Sequence, residues 1–362
     1  MQRDIIKIQS VFAKTVEKED LLYLRVSSFD TKVTEDLEKI IQENKNIKGF
    51  ILDLRNNPGG LLNQAIGVVD LFVDKGVIVS QKGRSAEDEE KFEASSSNTK
   101  SKLPLVVLVN EGSASASEIL AAAIQDYKRG IVIGSKQTYG KGTVQNVIDL
   151  NQFVRSSDKG DLGALKTTTQ KFYRINGGST QLEGVRSDVV MPDRYAYLKM
   201  GERDIENAMP WDKIDAAQYN VWTNNAKFSN AIANSKNRIA QHQQFKLIEE
   251  NAKWIDVRSK ENEYSLKFET FKMNQKAIEE TNKKFKSIAD YNYHVKFTSL
   301  PQEVEAMKTD ASLKEKRERW HESLSKDIYV EEALNILDDL QAKPVVKKQV
   351  TEISKNQKSV KL

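Results

Sequence analysis

Three short blocks of this sequence carry residues that could act on a carbonyl group. The first is Asp53-Leu54-Arg55-Asn56-Asn57-Pro58-Gly59-Gly60. Paired glycines let backbone N–H groups approach a ligand or a developing oxyanion closely; the same residues could equally form a plain strand-to-helix loop. The second is Glu111-Gly112-Ser113-Ala114-Ser115-Ala116-Ser117-Glu118. Its small residues allow a sharp turn that exposes a hydroxyl at a helix N-terminus, where the dipole favours negative charge. Ser115 and Glu118 also have capping-box spacing, so the serine could simply cap the helix. The third is Tyr139-Gly140-Lys141-Gly142-Thr143-Val144-Gln145. A lysine between glycines could point into a cleft or sit in a solvated turn. A nucleotide-binding loop is excluded: five residues, not four, separate Gly134 from Gly140, and Gly142 stands where a Ser/Thr would hold magnesium.

Taken together the blocks say more. A serine nucleophile needs a base, usually histidine. The three histidines, His242, His294 and His321, all lie in a distant, glycine-free stretch. Lys141 is nearer in sequence and on the same unit as Ser115. Lysine is a base only when neutral, so its reference pKa of ~10.4 must fall by several units through burial. A Ser–Lys dyad is chemically coherent.

The elements that must position these blocks follow from hydrophobic pattern. Leu21–Val26, Gly49–Leu54, Leu105–Val109 and Ile131–Ile133 read as short buried strands. Thr34–Ile41, Leu61–Phe72 and Ser115–Tyr127 read as the helices between them. This alternation implies an α/β layer structure. Gln81 to Lys102, charged and then Ser-rich, is expected to be an exposed loop or flap. Thr167–Arg174 and Val185–Val190 read as further strands around an Asn176-Gly177-Gly178 turn. All 17 glycines fall between Gly49 and Gly201. From about 202 to 342 the pattern is long, polar and helical. Residues 347–362 are basic and polar, and a disordered tail is expected there.

With 362 residues the chain has room for two or three domains and a substantial core. Its 56 Lys+Arg against 52 Asp+Glu leave +4, interspersed, which gives no case for nucleic acid or an anionic membrane. Cysteine is absent, which removes disulfides, thiolate metal sites and a cysteine nucleophile. No apolar run approaches the ~20 residues that span a bilayer. No apolar stretch follows Met1-Gln2-Arg3-Asp4, so no signal peptide is read there. The chain is either cytoplasmic or the processed part of a longer precursor.

At these residues the sequence resembles the C-terminal processing peptidases, in their tail-specific protease branch from Gram-negative bacteria. The match rests on the Asp53–Gly60 loop, Ser113-Ala114-Ser115-Ala116-Ser117-Glu118-Ile119 and Gly140-Lys141-Gly142-Thr143-Val144-Gln145. Gly177-Gly178-Ser179-Thr180-Gln181, Gly184-Val185 and Asp188 extend it. Asn207-Ala208-Met209-Pro210-Trp211-Asp212 with Ile214-Asp215-Ala216-Ala217 resembles the start of that branch's helical C-terminal domain. The resemblance implies Ser115 as nucleophile, rather than Ser113 or Ser117, and Lys141 as general base. Gln145 would position the lysine, and the Gly60 and Ala116 N–H groups would form an oxyanion hole. Asp126 would have a supporting role, or be a charge near a helix end without a catalytic part.

The implied fold is a crotonase-like α/β protease core with flanking β structure, followed by an all-helical C-terminal domain. The expected division is residues 1–20 as the strand and linker leaving a missing PDZ domain, 21–200 as the protease core, 201–345 as the helical domain and 346–362 as the tail. No metal or organic cofactor is required. Implied substrates are periplasmic proteins with accessible apolar C-termini; a lipoprotein adaptor is a further partner, and membranes are reached only through partners. A periplasmic location is implied in the same way. The segment Ser135-Lys136-Gln137-Thr138 is slightly long for the family. The rival reading is a catalytically dormant fragment that binds peptides or proteins. Trp211, Trp222, Trp254 and Trp320 are expected to be packing anchors.

Overall fold

The protein is described by a computed structural model that covers residues 9–17, 20–154 and 160–341. The tail expected over 346–362 and part of the expected 1–20 segment lie outside the described residues.

The chain opens with β1 (Val11–Val16), β2 (Leu21–Val26), α1 (Val33–Glu43), β3 (Gly49–Asp53) and α2 (Leu62–Asp70). It continues with β4 (Gly76–Lys82), β5 (Glu90–Ala94), β6 (Leu105–Val109), α3 (Ala116–Asp126) and β7 (Ile131–Gly134). Then come β8 (Thr143–Asp149), β9 (Ala164–Tyr173) and β10 (Val189–Val190). The helices α4 (Phe228–Gln241), α5 (Gln243–Ser259) and α6 (Phe268–Lys286) follow. The short strand β11 (Phe297–Ser299) precedes α7 (Pro301–Thr309), α8 (Ala311–Ser325) and α9 (Ile328–Gln341).

Seven strands form one sheet in the order β10-β7-β6-β3-β2-β1-β11. Its centre is parallel from β2 through β10, and β1 and β11 add antiparallel at one edge. The central strands are continuous apolar runs because both their faces are covered. Side chains alternate with period 2 between two cores. Leu22, Leu24, Phe50, Leu52, Val107 and Val109 face the core closed by α1, α2 and α3. Tyr23, Ile51, Val106, Leu108 and Ile133 face the other, closed by residues such as Ile239, Ile248, Leu334 and Leu337 of α4, α5 and α9. The glycine-free helices therefore seal one face of the seven-stranded sheet and share a core with it. The same stretch also contributes β11, whose edge is locked by Lys14 on β1. That buried ammonium pairs with Glu303, donates to Ser299 Oγ at 2.9 Å and lies 4.8 Å from the Trp320 ring centroid.

The second sheet, β5-β4-β9-β8, is antiparallel, and the observed strands correct two expectations. Gln81–Lys102 is not simply a loop: β4 and β5 pair across it through Gln81↔Glu90. Their charged side chains hid a strand whose outer face meets solvent. Thr143–Asp149, at the end of the lysine block, is a strand paired with β9. In Val185–Val190 only Val189–Val190 pairs, in parallel with β7 rather than with β9. The Asn176-Gly177-Gly178 turn does form, with Gly177 N donating to Arg174 O at 2.9 Å.

Candidate active site

The three chemical blocks leave the carboxyl ends of β3, β6 and β7, which are adjacent parallel strands. In an open parallel sheet that edge is where ligands bind, because the loops there converge. Asn56 and Asn110 tie the first two loops reciprocally: Asn56 N donates to Asn110 Oδ1 at 2.8 Å and Asn110 Nδ2 to Asn56 Oδ1 at 2.9 Å. Asn57, fully buried, accepts from Ala114 N through its carbonyl at 3.0 Å and from Gly59 N through Oδ1 at 2.9 Å. Tyr139 N, leading into the third loop, donates to Ser113 O at 3.0 Å.

The three clustered serines separate by their hydrogen bonds. Ser113 Oγ is buried and donates to Leu54 O at 2.8 Å, while Ser117 Oγ is buried and donates to Asn57 O at 3.0 Å. Both hydroxyls hold loops together. Ser115 is only partly buried, and its hydroxyl donates to no described residue. Its backbone lies at φ 56°, ψ −113°, well outside the ordinary basins for a residue with a Cβ. Such a conformation costs about 1–3 kcal/mol and is held only by surrounding structure. It places Ser115 on a tight turn directly before α3.

What holds that turn is Glu118. The expected capping interaction exists on the glutamate side, where Oε2 accepts from Ser115 N at 2.8 Å. The same oxygen accepts from Lys141 N at 2.9 Å. Oε1 accepts from Thr138 Oγ1 at 2.6 Å and Gly140 N at 2.7 Å. One fully buried carboxylate thus joins the serine turn to the lysine loop. Burial pushes its pKa up to about 7, while its four donors pull in the opposite direction. The capping reading and the active-site reading of Ser115–Glu118 are therefore compatible. Glu118 and Thr138 are the site residues that sequence reasoning missed as such; the only sequence signal was the capping-box spacing.

The structure brings Lys141 and Gln145 together, with Lys141 Nζ donating to Gln145 Oε1 at 3.1 Å. No hydrogen bond joins Lys141 Nζ to Ser115 Oγ among the described residues. None of the three histidines reaches Ser115: His242 bonds to Gln244 N and Tyr291, and His321 lies 3.2 Å from Ser299 Oγ.

Beside Ser115, neither the Gly60 nor the Ala116 N–H donates to another described residue. Gly59 abuts the serine turn so closely that a Cβ there would stand 2.9 Å from Ser115 Cβ and 3.0 Å from Ala116 N. Gly60 has φ +142°, and an added Cβ would lie 2.3 Å from Phe29 O. Gly60→Ala must therefore displace this loop or strain it, and a loss of about 1–3 kcal/mol of stability is expected, measured by denaturant unfolding.

The glycine loop is also braced from the helical side. Arg55 donates to Asp53 Oδ2 at 2.6 Å and to Asp327 Oδ2 at 2.8 Å, ahead of α9. Asp53 is wholly buried, and the Arg55 guanidinium holds its carboxyl below the usual range despite desolvation. Asp327→Ala leaves Arg55 with Asp53 alone. Because Asp327 is partly exposed, a loss of about 2 kcal/mol is expected, below the full cost of breaking a buried pair, measured by denaturant unfolding. Asp126 is not brought to the site. It sits at the far end of α3, about 16 Å from Ser115 at 1.5 Å per residue, paired with Arg174 at 2.6 Å.

A family model described as peptidase family S41 matches residues 20–191, and one described as the C-terminal domain of tail specific protease (DUF3340) matches residues 195–342. The tail-specific protease of Haemophilus influenzae is 38% identical over 304 residues, 78% of this chain and 43% of that protein. The carboxy-terminal-processing protease of Bartonella bacilliformis is 42% identical over 203 residues, 53% of this chain and 44% of that protein. The chain thus spans less than half the length of these two relatives. Among solved structures, a photosystem II D1 C-terminal processing protease aligns with a TM-score of 0.43 at 29% identity, over 51% of this chain and 49% of that one.

Proposed function

Through residues 20–191 the chain belongs to peptidase family S41, followed by the C-terminal domain of tail-specific proteases, and on that premise we propose that it is a serine endopeptidase with a Ser115–Lys141 dyad. The observation that carries the proposal is the contrast among the three serines. Ser113 and Ser117 donate to backbone carbonyls, whereas the Ser115 hydroxyl, at the head of α3, donates to no described residue. In this reading Ser115 Oγ attacks the scissile carbonyl carbon while neutral Lys141 takes the hydroxyl proton. The carbonyl oxygen becomes an oxyanion facing the Gly60 and Ala116 N–H groups. Lys141 then protonates the departing amine as the C–N bond breaks. Water attacks the acyl-enzyme with the same lysine as base, which restores Ser115. Gln145 holds the lysine amine through its Oε1.

The proposed substrates are proteins with accessible apolar C-terminal tails, met in the periplasm, with a lipoprotein adaptor as partner. This part rests on the motif resemblance and on the names of the relatives. One observation favours the dormant alternative: Lys141 Nζ engages Gln145 and not Ser115. Degradation of an unfolded, apolar-tailed protein by this chain separates the two readings. Cleavage by the parent and none by Ser115→Ala or Lys141→Ala is the expected result. Inertness of the parent and of an N-terminally extended chain would favour the binding module.

A further inference from the structure

Arg129, between α3 and β7, is only 2% exposed, yet it pairs with no carboxylate among the described residues. Its Nε donates to Phe72 O at 2.8 Å, and Nη2 donates to Ser101 O at 2.9 Å and Leu103 O at 3.0 Å. The Trp222 ring covers the guanidinium at 4.6 Å. Nη1 is buried and has no partner at all; only one other side-chain atom among the described residues, Ser235 Oγ, shares that state. Buried charges in proteins are paired, because an uncompensated one costs several kcal/mol. Burial alone acts on this guanidinium, pushing its pKa down to about 10, with no neighbouring anion to oppose it.

Arg129 lines a cavity of about 600 Å³ between the ends of α2, β4 and α3 and the connector at 218–223. Its walls include four rings, Phe72, Tyr127, Tyr219 and Trp222. Tyr127 and Tyr219 meet edge to face at 5.7 Å. The charged groups on its rim largely cancel, since Lys102 faces Asp74 at 3.9 Å, while Lys75 and Glu93 add one charge of each sign. We propose that this cavity binds a carboxylate carried on an aromatic or apolar group, with Arg129 Nη1 as the anion contact and the surrounding rings against the apolar body. The one unpartnered nitrogen, Nη1 with its two N–H groups, suits a monoanion; a phosphate would leave most of its oxygens without donors. The site lies at the opposite end of α3 from Ser115, so it is separate from the candidate active site. The carboxylate could belong to a free organic acid or to a chain terminus.

The test titrates the whole chain, in its Ser115→Ala form so that peptides survive, and follows tryptophan emission and heat. The probes are N-acetyl-L-phenylalanine and its carboxamide. The acid should bind at least about tenfold more tightly, the scale of one charge-assisted hydrogen bond, and its emission change should vanish in Trp222→Phe. Arg129→Gln, where a thermal melt shows it folded, should bind the acid no better than the amide. Equal binding of acid and amide, binding that survives both substitutions, or no binding at millimolar concentration overturns the proposal. A decapeptide ending in a free phenylalanine carboxylate identifies the source. Tighter binding than the small acid assigns a chain terminus, and exclusion while the small acid still binds assigns a free acid.

Discussion

Ser115→Ala is expected to lower peptide-bond hydrolysis by roughly 10⁴- to 10⁶-fold, the range seen when a nucleophile acting as part of a unit is removed. The fold should be unaffected, because the Ser115 hydroxyl donates to no described residue. The turn is held instead through the backbone N–H of Ser115 on Glu118, which alanine retains. Alanine also tolerates the φ of 56° no worse than serine. Ser113→Ala and Ser117→Ala should behave in the opposite way. Each strips a buried hydroxyl from a backbone carbonyl, at about 1–3 kcal/mol of stability, while leaving the chemistry in place. Parallel melting curves and kcat values for the three variants check the contrast. A Ser115→Ala variant that cleaves at the parent rate would remove this residue from the mechanism.

Replacing Glu118 is expected to be nearly as damaging, for another reason. Glu118→Ala leaves four buried or partly buried donors on Ser115, Thr138, Gly140 and Lys141 without an acceptor. At about 1–3 kcal/mol for each, the sum approaches the whole stability of a typical domain, so this variant should be poorly folded. Glu118→Gln is the sharper experiment. Its amide oxygen can serve two of the donors, but its NH₂ faces the other two. The chain should fold, with the Ser115 turn and the Lys141 loop displaced and hydrolysis reduced by at least about 100-fold, the penalty for a small misplacement of reacting groups.

The wild-type carboxyl also makes a pH prediction. Its folded pKa, raised to about 7 from 4.5 by burial, means that the folded state binds the proton more tightly than the unfolded one. Stability from this group is fully present below about pH 4.5 and lost as pH rises through about 7. Activity should run the other way. Protonation converts one acceptor position to a donor, so one of the four ties breaks as pH falls below about 7. Denaturant unfolding and kcat measured between pH 5 and 8 should show opposite trends, and Glu118→Gln should weaken the stability trend, the rest coming from Glu111, which burial also raises to about 7.

How far the sequence discloses all this depends on where each signal resides. The central strands are legible because both faces are buried, so residues such as Leu105–Val109 are apolar without interruption. The chemical blocks are legible because glycines and small residues mark the strand ends in one-dimensional order. The partners of Glu118 are not: Thr138 and Gly140 lie 20 and 22 residues away, and they meet it only because β6 and β7 are neighbours in the sheet. Strand β8 escapes notice because residues such as Gln145, Asn146 and Val147 are exposed, so no apolar alternation marks it. Strand β5 reads Glu-Lys-Phe-Glu-Ala and has the composition of a loop. The helices after residue 201 look solvated throughout, yet α9 buries Val330, Ala333, Leu334, Ile336 and Leu337 against the sheet. Their periodicity is plain, but nothing in it names the surface they cover.

The claim on which the functional account turns is that Lys141 activates Ser115. It is tested most directly by treating this chain with a hydroxyl-reactive fluorophosphonate near neutral pH and locating the adduct by peptide mass spectrometry. The account predicts modification of Ser115 alone among the three clustered serines, and loss of that adduct in folded Lys141→Ala. Equal labelling of Ser115 with and without the lysine amine, or no labelling of Ser115 in the parent chain, would contradict it.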